Sequence, residues 1–173
     1  QVMSPELRVT WLCVTLLSVL YFIYCNEMWN QLDGLTGLLN QSSYLNRTEE
    51  MRYSGGVLIV FDVNDDYGHL QGDICLAAIA DCIKKAYACY GYCYRIGGDE
   101  FCVLLKNGEK EEECLHEFMN RLEERRKEIT FLPIVSFGSS VFSGEDINVV
   151  KEIADRNMYQ CKKEQKNRVA SQL

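Results

Sequence analysis

The chain has no basic stripe. Its 173 residues carry 18 Lys and Arg against 25 Asp and Glu, a formal net charge of −7. No band of cations exists to neutralise a phosphate backbone, which excludes nonspecific nucleic-acid binding as a function class. The chain also has no Cys-x-x-Cys pair and only two histidines. Its nine cysteines are odd in number and scattered, which argues against a disulfide framework and for small buried hydrophobes in a reducing, cytoplasmic compartment. Cys75 and Cys82 share one helical face and Cys102 sits inside a strand, as core packing requires. Cys89 and Cys93 form the one close pair, and a zinc site there with the histidines is the competing reading. The run Glu109-Lys-Glu-Glu-Glu113 reads as a solvated helix start, where acids suit the positive end of the helix dipole.

Charge is also missing from Val9 to Cys25, a stretch apolar around the whole helix with Trp and Tyr near its ends. That pattern predicts a membrane-spanning helix, at about the minimum length for a span. A signalling coiled coil is the alternative, but it requires a polar outer face. The predicted division is an amino-terminal apolar helix over 1–31 and a catalytic domain over 32–173. The chain opens Gln1-Val-Met-Ser without an initiating methionine. It is read as part of a longer receptor with an upstream sensor domain or partner.

What is present is concentrated at residues 95–105, Arg-Ile-Gly-Gly-Asp-Glu-Phe-Cys-Val-Leu-Leu. Gly97 and Gly98 are expected to serve a hairpin that needs positive φ and to let a ligand approach the backbone. A hairpin has no structural need for Asp99 and Glu100 at its exit, where two like charges repel. A divalent cation would relieve that repulsion, and two carboxylates supply the hard oxygens that Mg²⁺ prefers.

A second carboxylate ends another strand. Gly55-Gly56 launches Val57-Leu-Ile-Val-Phe61, an apolar run typical of a strand buried on both faces, which stops at Asp62. The remaining pattern predicts strand 57–62, helix about 70–90, strand 92–96, strand 101–105, helix about 110–128, strand 133–142 and helix 146–166. The fold class is therefore α+β, a split β-α-β-β-α-β antiparallel sheet flanked by helices and preceded by the apolar helix. In that arrangement the third strand lies antiparallel beside the first, so Asp62 and Asp99 become neighbours.

Gly97-Gly98-Asp99-Glu100-Phe101 resembles the signature of the GGDEF family of diguanylate cyclases, whose sheet is of the ferredoxin-like, nucleotidyl-cyclase type. Asp33-Gly-Leu-Thr-Gly-Leu-Leu-Asn40 is similar to the family's entry motif and Gly68-His-Leu-Gln-Gly-Asp73 to the segment after its first strand. Ala154-Asp-Arg-Asn-Met-Tyr159, with Lys162 and Asn167, is similar to its closing helix. The resemblance runs in order from residue 32 to 168. It implies condensation of two GTP to cyclic di-GMP with release of two pyrophosphates, in a homodimer that uses Mg²⁺ or Mn²⁺. By the same resemblance Asp62, Asp99 and the carbonyl of Val63 hold metal, and Glu100 assists hydroxyl deprotonation or binds a second ion. Gly97 and Gly98 make room for nucleotide, and Asp73 reads guanine. Lys162 and Lys166 hold terminal phosphates, Lys166 standing where the family usually has Arg and so giving a point charge instead of a fork. Asn64 either follows the metal-ligand pair or is a shifted guanine reader. His69 is expected to make a local structural hydrogen bond.

Two departures qualify the resemblance. Asp62-Val-Asn-Asp-Asp-Tyr-Gly-His69 is shorter than the family pattern, where a backbone loop cradles the phosphates. This shortening favours an alternative, a degenerate domain that binds GTP or a partner and signals without catalysis. The intact Asp99 and Glu100 favour an active enzyme. A related cyclase acting on another nucleotide is a third reading, against which Asp73 speaks. The family's Arg-x-x-Asp product-inhibition site is replaced by Ala88-Cys-Tyr-Gly91, so product feedback there is not expected.

Overall fold

A computed structural model describes residues 4–63 and 69–170, apart from the side chains of residues 28–29, 69–70 and 164–170. The chain divides into two compact units, Gln1–Leu32 and Asp33–Leu173. In the first, α1 (Pro5–Trp29) is a single helix. Large apolar side chains such as Leu12, Leu16 and Phe22 are exposed along it. The hydroxyls of Thr10, Thr15 and Ser18 donate to carbonyls one turn back, those of Glu6, Trp11 and Val14. These three hydroxyls are thereby satisfied by the helix's own backbone.

The second unit follows the split order. Its elements are α2 (Gln41–Met51), β1 (Gly56–Val63), α3 (His69–Tyr87), β2 (Gly91–Arg95), β3 (Glu100–Leu105), α4 (Glu111–Glu128), β4 (Val135–Phe142) and α5 (Ile147–Ala170). A short 3₁₀ turn, Gly108–Lys110, leads into α4. The strands form one antiparallel sheet in the order β2-β3-β1-β4. The third strand lies beside the first, as the pattern predicts.

Strand alternation divides the core. Val57, Ile59, Phe61 and Val63 of β1, with Phe101, Val103 and Leu105 of β3, pack with residues of α3 and α4 such as Ile79, Ile83, Phe118 and Leu122. Phe61 meets Phe118 and Tyr87 in edge-to-face contacts, with centroids 5.1 and 5.8 Å apart. Such pairs contribute roughly 0.5–1.5 kcal/mol each beyond their burial. Leu58 and Val60, with Cys102 and Leu104, pack on the opposite face with Tyr44 and Met51 of α2 and Val150 and Ala154 of α5. The even-numbered residues Asp62 and Glu100 therefore belong to the α5 side.

Two departures from the sequence reading have clear causes. Helix α2 was not anticipated: it is largely polar and buries only Tyr44, Thr48 and Met51, while Asn40 caps it by accepting the Ser43 N–H at 3.0 Å. The last strand begins at Val135 rather than 133, because Pro133 has no N–H to give to a ladder.

Candidate active site at the ends of the central strands

The antiparallel register sets Asp62 directly opposite Glu100. The Val63 N–H donates to the Asp99 carbonyl at 3.1 Å, so the end of β1 is stitched to the signature turn. The turn itself is closed by the N–H groups of Ile96 and Gly97, which donate to the Glu100 carbonyl at 3.0 and 3.3 Å. Asp99 and Glu100 are exposed there.

The glycines meet one of the two expectations, openness, and not the other, positive φ. Gly37, Gly55, Gly56 and Gly144 carry positive φ, whereas Gly97 and Gly98 do not. The turn is therefore not built on left-handed backbone. Space is their contribution: a Cβ on Gly98 would meet nothing within 4 Å, and one on Gly97 would touch the Glu100 side chain at 3.3 Å. The backbone at Gly98 is open to an approaching group.

Asp62 is the most enclosed of the candidate carboxylates, its side chain only 16% exposed. Its Oδ2 is buried, and the Lys162 ammonium of α5 lies against it in an ion pair. The ammonium compensates the burial of that carboxylate oxygen. Lys151, also on α5, places Nζ 3.8 Å from Glu100 Oε2. Asp155 shares the small cavity between α5 and the strands with Ile96, Glu100, Lys151 and Met158.

A buttress supports the turn from behind. Arg95 donates from Nε and Nη2 to the Gly98 carbonyl at 3.2 and 2.6 Å, and from Nη1 to Asp33 Oδ1 at 3.1 Å. That Asp33 oxygen also accepts the Thr36 N–H at 2.9 Å and its hydroxyl at 2.6 Å. Partial burial pulls the Asp33 carboxyl upward, but the Thr36 hydrogen bonds and the Arg95 guanidinium outweigh it and hold the group below its ordinary value. The 33–39 turn is in turn sewn to β2, with Leu39 N–H donating to the Cys93 carbonyl at 3.0 Å and Arg95 N–H to the Leu39 carbonyl at 2.8 Å.

The structure thus brings together Asp62, Val63, Gly97, Gly98, Asp99, Glu100 and Lys162. Asp73 lies one turn into α3 with an exposed side chain. It makes no hydrogen bond or ion pair to that group among the described residues. Asn64 lies outside the described residues, as do the side chains of His69, Lys166 and Asn167. The sequence reading assigned no role to Arg95 or Lys151. The signal for Lys151 was its spacing, three helical turns before Lys162 and so on the same face.

The donor set fits a hard divalent cation. Asp62, Asp99, Glu100 and the Val63 carbonyl offer only oxygen, and Asp62 Oδ2 already holds a cation, the Lys162 ammonium. Among the described residues no group of three or more carboxylates, imidazoles or thiols is gathered closely enough to hold a metal ion, so the fit lies in the oxygen chemistry of the donors. Magnesium sites commonly use one or two carboxylates and leave further positions to substrate phosphates. The cysteines are unsuited to such work. Burial pushes the Cys93 thiol up to about 12 and raises Cys102 as well, so both stay protonated and inert.

Comparison with known proteins agrees with the geometry. Residues 30–168 match the family described as diguanylate cyclase, GGDEF domain. The chain is 30% identical over 164 residues to diguanylate cyclase DgcZ of Escherichia coli, covering 86% of this chain and 55% of that protein. It is 31% identical over 153 residues to the probable diguanylate cyclase DgcI of the same organism, covering 79% and 33%. The chain thus spans about a third to about half the length of these curated relatives. Among solved structures, the coiled coil and GGDEF domain of Caulobacter crescentus DgcB, determined in complex with c-di-GMP, superposes with a TM-score of 0.80 at 22% identity. That superposition covers 94% of this chain and 96% of that one. Since the family match takes in all four strands, the signature turn and the lysines of α5, the chain belongs to the diguanylate cyclase GGDEF-domain family.

Proposed function

We infer that this chain is a diguanylate cyclase that condenses two GTP into cyclic di-GMP, releasing two pyrophosphates, as a homodimer dependent on Mg²⁺ or Mn²⁺. The observation that carries this reading is the register of β1 against β3, which sets Asp62 opposite Glu100 on the face where α5 delivers Lys162. Asp62, Asp99, Glu100 and the Val63 carbonyl would hold the metal. When bound, it would neutralise triphosphate charge and help polarise the reacting phosphorus centre.

The protein's own residues do the rest. Gly97 and Gly98 leave the turn open so that a nucleotide can lie against its backbone. Lys162, which lies against Asp62, is assigned a terminal phosphate, with Lys166 one turn further along α5. Asp73 is assigned the guanine edge and Asn64 the segment beside the metal ligands. Glu100 is assigned acceptance of the proton from the attacking 3′-hydroxyl. Positioning and charge are the main demands of phosphoryl chemistry, and this set supplies both. Each domain carries half of a two-fold reaction, so the active form needs two copies.

The domain belongs in the cytoplasm, where GTP is available, under an upstream sensor. The uncharged stretch within Pro5–Glu27 supports tethering to the cell membrane. As a helix these residues reach about 35 Å at 1.5 Å per residue, enough to cross a hydrocarbon core.

The test is incubation of the full chain with GTP and Mg²⁺, with cyclic di-GMP and pyrophosphate read by mass spectrometry. Product that vanishes in Asp99→Ala and Glu100→Ala, both still folded, is the expected result. Substantial turnover in either variant overturns the metal assignment. The short Asp62–His69 segment supports one alternative, a degenerate domain that binds GTP or a partner without chemistry. GTP binding by equilibrium dialysis with no product under any metal would select it.

A further inference from the structure

Two acidic residues face each other across β1 and β3 at the site, Asp62 and Glu100, and like charges directly opposite in a sheet are destabilising. Helix α5 answers each with one ammonium. Lys162 lies against Asp62, and Lys151 stands 3.8 Å from Glu100. The two lysines are eleven residues apart, three turns, with Asp155 and Met158 between them on the same face. Lys162 has a further role in the proposed chemistry, toward phosphate. Lys151 has none, yet its ammonium is the cation turned toward Glu100, whose carboxylate leans over Gly97. At 3.8 Å the contact is Coulombic and long for a hydrogen bond, so it restrains Glu100 without locking it.

We propose that Lys151 is a positioning residue for Glu100, a resident counter-ion that holds this carboxylate and competes with the divalent cation for it. The inference rests on the metal-site reading above. Among the described residues, the charged groups facing Glu100 from the packed elements are Lys151 and Asp155 of α5 and Asp62 of β1, and of these Lys151 carries the positive charge. Half of the Glu100 side chain is solvent-exposed, 48%, so water screens the pair and the effect is moderate.

The experiment is a Mn²⁺ titration of the full chain in detergent micelles without nucleotide, with free Mn²⁺ followed by electron paramagnetic resonance. Loss of a unit charge at about 4 Å in water predicts that Lys151→Gln binds Mn²⁺ about fivefold more tightly than wild type. Lys151→Arg, which keeps the charge, should match wild type, and raising the salt should narrow the gap. Adding Glu100→Gln to Lys151→Gln should abolish the gain, since the coupling runs through that carboxylate. Equal affinity in wild type and Lys151→Gln, or an equal gain in Lys151→Arg, overturns the proposal while leaving the metal site intact. Binding by wild type that is insensitive to Asp62→Asn and Asp99→Asn shows instead that the metal site is misassigned, and the proposal falls with it.

Discussion

Arg95 and Asp33 are 62 residues apart in sequence and joined by a 3.1 Å hydrogen bond, with both side chains largely enclosed at 14% and 24% exposure. The same guanidinium holds the Gly98 carbonyl. One side chain therefore fixes the entry turn of the domain and the back of the signature turn together. Arg95→Ala should destabilise the domain by roughly 1.5–3 kcal/mol, the range for lost charge-assisted hydrogen bonds. It should also reduce turnover through a loosened Gly97–Gly98 turn. Urea denaturation and cyclic di-GMP assays on the same preparation check both parts.

Asp33 supplies a pH dependence of known sign. Its carboxyl sits below the ordinary value in the folded domain. The stability it contributes is therefore fully present above the unfolded carboxylate value of about 4 and is lost as pH falls through the lower folded one. Asp33→Asn should cost stability at pH 7, and the gap between variant and wild type should shrink toward about pH 3. Denaturation curves at both pH values decide it; a gap that stays constant contradicts the assignment.

Gly138 sets how closely α5 approaches the sheet. A Cβ there would lie 2.2 Å from the Ala154 carbonyl oxygen and 2.3 Å from the Met158 nitrogen, backbone atoms that cannot swing aside. Gly138→Ala should cost about 1–3 kcal/mol by overpacking. Because α5 carries Lys162, it should also raise the KM for GTP more than it lowers kcat. Steady-state kinetics beside thermal melts separate the two effects.

Asp62→Asn keeps the shape of the side chain and removes its charge. Turnover should fall about a hundredfold or more, equivalent to roughly 2.7 kcal/mol of lost transition-state stabilisation. The melting temperature should change little, because Lys162, 30% exposed, can turn to solvent. A variant that retains most of its activity would remove Asp62 from the metal site.

Removal of residues 1–32 tests the role of α1. Residues 33–173 should stay in the supernatant after ultracentrifugation of a lysate, and the full chain should sediment with membranes. Sedimentation of neither would reassign α1 to a helix that pairs in water.

The order of strands and the pairing of Asp62 with the signature turn were legible because they depend on patterns that sequence displays: a fully apolar strand, a two-glycine turn and alternating burial. Cys75, Cys82 and Cys102 were legible as core for the same reason, and all three are buried. Helix α2 was not legible, since three buried positions in eleven give little periodicity. The glycines of the turn were read both for positive φ and for openness, and only the openness is found. Arg95 and Lys151 act through tertiary proximity, to Gly98 and Asp33 in one case and to Glu100 in the other. Gly138 likewise shows its purpose only against the backbone of α5.

The central place of β1 divides the site by how readily its parts open. This strand is hydrogen-bonded on both edges, to β3 and β4, so its amides exchange with solvent chiefly through global unfolding. Asp62 rides on that slow element. Gly97 and Gly98, at a hairpin tip exposed to water, belong to the fast end of the same scale. Hydrogen exchange would thus find a rigid anvil on one side of the nucleotide and a compliant jaw on the other, so that substrate capture can reshape the turn without disturbing the strand beneath it.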